Sequence, residues 1–174
     1  AADPAGAALD MPAGPTELMV IADATAAPDA VALDLLSQAE HGVDSQVVLV
    51  TDAPDLAVAV YGAAQAALPE LPRRPIIEQA LQNSLTILVD NVPQAIEVAN
   101  AYAAEHLIMQ VHNPRQYIDK IKNAGSVFLG PWTPEAVGDY CSGTNHVLPT
   151  HGYARAYSGL STRDFQKYIS VQEA

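Results

Sequence analysis

A few polar side chains in an Ala-, Val- and Leu-rich chain have the types and spacing to do chemistry: Gln38 with His41, Glu105 with His106, and Asp139 with His146. Gln38 and His41 are three residues apart at the end of a predicted helix, so they share one face and could grip one ion. An amide oxygen and an imidazole nitrogen suit Zn²⁺ when a carboxylate completes the set. A histidine at a helix end also serves simply as a favourable partner for the helix dipole. Glu105 and His106 are neighbours where a helix passes into a strand, and together they offer a general acid and a general base at one place. A solvated helix end would carry the same dipeptide. Asp139 follows Gly138 in a predicted loop, where it could be a ligand or cap a turn. Asn145 and His146 follow Gly143 and Thr144 in a similar loop. His112 and His151 have no acidic or amide partner at suggestive spacing and read as surface residues. The single cysteine, Cys141, cannot form an internal disulfide. A thiolate near His146 is one reading of it, and a small core bystander is the commoner one.

These residues fall at the ends of elements that the apolar pattern marks out. Residues 1–15 are rich in Ala, Gly and Pro and read as a connector. Apolar runs at 17–22, 46–50, 85–89, 107–111 and 126–129 have the length and composition of strands covered by helices. Between them, predicted helices run over 28–42, 54–68, 76–83, 93 to about 105, and 114 to about 122, several opened by proline in the first turn. Gln38 and His41 then lie in the last turn of the first helix. The alternation predicts βα units forming an α/β domain with a mainly parallel sheet and helices on both faces. After Gly130 the pattern breaks, and residues 131–163 are expected to be irregular. The last dozen residues, with Phe165, Tyr168, Ile169 and Val171, have helix or strand character. The expected organisation is a connector (1–15), an α/β domain carrying the polar groups (16–150) and a C-terminal segment (151–174).

At 174 residues the chain can bury the core of one domain. Its net charge of −12 disfavours nucleic acid and anionic membranes as partners. No run reaches the length of a membrane span and the N-terminus lacks signal-peptide features, so the expected location is cytoplasmic. There is no GxSxG elbow, no phosphate loop ending in GK[ST], no HExxH, and no dinucleotide-binding glycine fingerprint after a strand. Spacing alone therefore supports an α/β domain with a His/Asp/Gln metal site and names no reaction.

Taken together, GPTELMVIAD (14–23), DLLSQAEHG (34–42), AAEHLI (103–108), GSVFLGPWTPEAVGDY (125–140) and SGTNHVLPT (142–150) resemble histidinol dehydrogenase, in order and spacing, from about Gly6 to Gln172. The resemblance implies an incomplete Rossmann-like domain. It also implies a zinc-requiring, NAD-dependent oxidation of L-histidinol through the aldehyde to L-histidine, the last step of histidine biosynthesis. Gln38, His41 and Asp139 match zinc ligands. Glu105 and His106 match the acid/base pair of a PEHL-like motif, here with Ala104 where proline is frequent. Thr16 matches the substrate-contacting Ser or Thr of a GPSE motif, and His146 lies in an NHVLPT motif near the substrate. Gln38, His41, His106 and Asp139 would also touch substrate, with His106 taking the alcohol proton and Glu105 helping to activate water on the aldehyde.

The family is longer than this chain. In it a fourth zinc ligand, a histidine, and a substrate-binding glutamate lie in a C-terminal tail reaching in from the partner subunit of a homodimer. The NAD-binding residues lie upstream, so no cofactor-binding residue is assigned here. The expectation is a partial enzyme, inactive alone. The alternatives are a related zinc- and NAD-dependent dehydrogenase of another small polar alcohol, and a non-catalytic metal-binding or assembly domain.

Overall fold

A computed structural model describes residue 6 and residues 11–174. Most of the expected connector, residues 1–5 and 7–10, lies outside the described residues, and residues 11–14 form no regular element. Five parallel strands follow: β1 (Glu17–Ala22), β2 (Gln46–Thr51), β3 (Leu85–Leu88), β4 (His106–Gln110) and β5 (Ser126–Leu129). They lie in the order β3-β2-β1-β4-β5, five strands of the doubly wound order in which the direction of winding reverses beside β1.

Five α-helices connect and cover the strands: α1 (Pro28–Ala39), α2 (Pro54–Ala67), α3 (Arg74–Ala80), α4 (Val92–Tyr102) and α5 (Glu135–Tyr140). Alternation along β1 sends Leu18, Val20 and Ala22 into one core with α1, α2 and α3, while Met19 and Ile21 enter a second core with α4. Helices thus cover both faces, as the pattern predicts. β1 is the centre of this arrangement, with Leu18, Met19, Val20 and Ile21 fully buried. Each such side chain contributes roughly 1.5–3 kcal/mol. β3 is an edge strand and leaves Leu85 and Leu88 more than half exposed.

Several boundaries differ from the sequence expectation. α1 stops at Ala39, so Gln38 is in its last turn but His41 lies beyond it. Residues Pro114–Lys120 form a 3-10 helix instead of an α-helix. Asn113 before it is left-handed (φ 52°), and the chain leaving it is drawn to α4, where Asn100 accepts the Lys122 N–H and donates to the Lys120 carbonyl. The expected irregular stretch contains α5, so Asp139 is helical and not in a loop. At the C-terminus only Thr162–Phe165 is regular, as a 3-10 turn, and Phe165, Tyr168, Ile169 and Val171 are exposed.

Candidate active site

The polar groups gather at the amino-terminal edge of β1 and β4, on the face covered by α1 and α5. In open α/β sheets ligands usually sit at the carboxyl ends of strands, so this is the opposite edge. α1 runs back along β1 and delivers Gln38 to Thr16, the residue preceding β1. α4 ends at Ala103, whose left-handed conformation (φ 62°) in a non-glycine residue costs about 1 kcal/mol. That turn sends the chain directly into Glu105 and His106. Side chains alternate along β4, so His106 shares the α1 face with Ile108.

Hydrogen bonds fix these groups in a row. The Gln38 amide donates to the Thr16 hydroxyl, and that hydroxyl donates to Glu105 Oε2 at 2.5 Å. The Glu17 N–H donates to the same carboxylate oxygen at 3.0 Å, while the Glu17 carbonyl lies 3.3 Å from His106 Nδ1. A carbonyl only accepts, so Nδ1 carries the proton in this contact and Nε2 is the free basic nitrogen. One residue's backbone therefore aligns both members of the Glu105–His106 pair. Both side chains are buried, and Nδ1 lies 3.6 Å from Glu105 Oε2. Burial lifts the Glu105 carboxyl above its ordinary range, opposed by the hydrogen bonds from Thr16 and Glu17. Burial pushes the His106 imidazole below its ordinary range, which favours the neutral, proton-accepting form.

α5 closes the other side. Gly138 lets it lie against β5: a Cβ there would meet the Phe128 ring at 2.9 Å. The Phe128 and His106 ring centroids are 6.0 Å apart. This brings Glu135 and Asp139, one helical turn apart, over β4. Asp139, His106 and Glu135 offer donor atoms that all lie within 4.8 Å of one another. The charges of His41 and Asp139 both bear on Glu105, His106 and Glu135, while the exposed His41 ring contacts the Ser37 carbonyl through Nδ1 at 3.0 Å.

Gln38, Thr16, Glu105 and His106 are thus joined by contacts and Asp139 lies beside His106, while His41 stands beyond α1 with its ring on the Ser37 carbonyl. His146 does not join them among the described hydrogen bonds; it lies in an exposed loop tied to α5 by the Thr144 hydroxyl on the Gly138 carbonyl. Cys141 is exposed, contrary to the core-bystander expectation, because it caps α5 at the surface. His112 and His151 are exposed as expected.

Two participants escaped the sequence reading. Glu135 is 2% exposed, 3.8 Å from His106 Nε2, and burial raises its carboxyl to about 7. Asp34 on α1 accepts the Gln110 amide at 2.8 Å and faces the Glu135 backbone N–H, and burial raises it to about 6. The i,i+4 spacing of Glu135 and Asp139 would have signalled a shared face had the segment been read as helix.

Comparison with known proteins agrees with this architecture. The family model described as histidinol dehydrogenase matches residues 4–174. The chain is 57% identical over 168 residues to a curated histidinol dehydrogenase of Vibrio parahaemolyticus, covering 97% of the chain and 39% of the relative. It is 56% identical to that of Escherichia coli with the same coverage. It is similar to the crystal structure of histidinol dehydrogenase from Elizabethkingia anophelis, with a TM-score of 0.90 at 53% identity, covering 91% of this chain and 37% of that one. The chain thus spans about two fifths of the length of the curated relatives it matches.

Proposed function

The chain belongs to the histidinol dehydrogenase family, and on that premise we propose that it supplies the acid/base pair and most of the metal ligands of an enzyme that oxidises L-histidinol with NAD⁺, through the aldehyde, to L-histidine. The observation that carries this reading is the run Gln38–Thr16–Glu105 beside His106, in which a ligand amide and an acid/base carboxyl are oriented by one hydroxyl.

The donor set fits zinc. The Gln38 amide oxygen is buried with no hydrogen-bond partner, while its nitrogen is committed to Thr16, so the oxygen is aimed and left free. With an imidazole nitrogen from His41 and a carboxylate from Asp139, Gln38 would hold the ion, and a fourth ligand would come from the C-terminal region of a partner subunit in a homodimer. Bound zinc would hold and orient the amino alcohol by its nitrogen atoms.

The residues of this chain account for the proton movements. His106, its Nδ1 fixed on the Glu17 carbonyl, would take the alcohol proton at Nε2, and NAD⁺ when bound would supply the hydride acceptor. Glu105, held through Oε2, activates water for attack on the aldehyde. NAD would be bound by parts of the enzyme outside this chain. With about two fifths of its relatives' length, the segment alone would be inactive. The expected setting is the cytoplasm; among the described residues no helix is long and apolar enough to cross a membrane.

The test is NADH formation by the intact zinc-loaded enzyme with histidinol. Wild-type turnover is expected, with a loss of at least about a hundredfold in Glu105→Gln and His106→Asn at unchanged zinc content. Failure of the wild type to reduce NAD⁺, or full turnover in both variants, overturns the reading.

A further inference from the structure

We propose that Glu135 is a positioning residue for His106: it is the carboxyl toward which the ring's free nitrogen is turned, and it balances the charge that the ring acquires on taking a proton. The inference rests on the proposed reaction for its kinetic consequence, but its geometric basis is independent of substrate.

The contacts of His106 divide between its two nitrogens. Nδ1 faces the Glu17 carbonyl and Glu105, and Nε2 faces Glu135 Oε1 at 3.8 Å. A proton arriving at Nε2 therefore creates an imidazolium beside a carboxyl that is itself removed from water, where the attraction between the two is far less screened than at a surface. Glu135 Oε1 is buried and has no hydrogen-bond partner. A native protein rarely strands such an atom without a use for it.

The setting of Glu135 is that of a rigid support. It is the first residue of α5, and an acid there would ordinarily favour the helix dipole from solvent. Here the side chain is directed inward, so the dipole alone does not explain it. Asp34 faces the Glu135 backbone N–H while accepting the Gln110 side chain, which ties α1, β4 and the start of α5 together. Gly138 and Phe128 set the height of α5 over the sheet, and Phe128 flanks the His106 ring. The other charged groups bearing on Glu135 are Asp139 on α5, His41 beyond α1, Glu105 before β4 and Asp34 on α1. Of these carboxyl groups, only Glu135 is in ion-pair range of Nε2, since Glu105 makes its contact at Nδ1.

The experiment compares Glu135→Gln and Glu135→Asp with wild type in the intact zinc-loaded enzyme, using steady-state kinetics with histidinol across about pH 6 to 9. For Glu135→Gln we expect kcat to fall about ten- to hundredfold, KM to stay within about twofold, and zinc content to be unchanged. The acidic limb of the kcat profile should move to lower pH, because the imidazolium has lost its counter-charge. Glu135→Asp should recover most of the rate and return the limb toward its wild-type position. A wild-type rate and an unmoved limb in Glu135→Gln overturn the proposal, as does a loss of zinc, which would make Glu135 a ligand. In parallel, ring nitrogen NMR signals of His106, assigned with His106→Asn, should shift in Glu135→Gln; unshifted signals also overturn it. This second readout separates the proposal from the assigned reaction: an enzyme that ignores histidinol while its His106 signals answer to Glu135 rejects the substrate and keeps the positioning role.

Discussion

Thr16 and Glu105, separated by 89 positions in the chain, are joined by a hydroxyl-to-carboxylate hydrogen bond of 2.5 Å, and the same hydroxyl accepts the amide of Gln38. The Thr16 hydroxyl is therefore engaged by protein groups on both sides, so its effect on catalysis should pass through Glu105 and Gln38.

Removing that hydroxyl should be read in kcat. A hydrogen bond to a charged group is worth roughly 1.5–3 kcal/mol, and 1.36 kcal/mol is tenfold in rate. Thr16→Val is expected to lower kcat at least about tenfold, and Thr16→Ser to stay within about threefold of wild type. Steady-state kinetics checks this: a rise in KM with kcat unchanged would instead make Thr16 only a substrate contact.

Metal retention should follow the donor set. Gln38→Ala, His41→Ala and Asp139→Ala are each expected to weaken zinc binding at least about a hundredfold, since losing even an outer partner of a ligand costs ten- to a hundredfold. His112→Ala and His151→Ala, on exposed residues, should not change it. Zinc per subunit after dialysis against a chelator measures the difference. Chelation should also abolish turnover, and zinc should restore it.

Stability should fall as pH rises through the weakly acid range. Burial raises the Asp34 carboxyl from 3.8 to about 6, so between these values the folded state binds more protons than the unfolded one. The contribution is fully present below the unfolded value and is lost as pH climbs through about 6. Glu135, raised to about 7, has the same sign and extends the window. After solvent screening the Asp34 effect is on the order of 1 kcal/mol. Denaturant unfolding should show this slope, and Asp34→Asn should flatten it.

A glycine beside the acid/base pair should be intolerant. A Cβ on Gly125 would lie 2.6 Å from the Glu105 carbonyl oxygen, a backbone atom that cannot step aside alone. Gly125→Ala is expected to destabilise the fold by roughly 1–3 kcal/mol and to lower kcat by displacing Glu105. Gly62→Ala, with nothing near its Cβ, is the control and should be neutral or slightly stabilising. Thermal melts and kinetics on both variants test this.

Local pattern sufficed for the strand runs, the proline-opened helices and the α/β class, because burial on both faces of a strand and one face of a helix is written in neighbouring residues. The Gln38/His41 and Glu105/His106 pairs were legible for the same reason, being close in sequence. Their assignment to a zinc site came from resemblance of whole strings. What only tertiary structure decided was which distant groups meet: the strand order that seats β1 beside β4, the use of the amino edge, and the Glu17 backbone that aligns Glu105 with His106. Glu135 and Asp34 were invisible because their roles arise from α5 packing on Phe128 and α1, a contact between segments about a hundred residues apart that no local periodicity encodes.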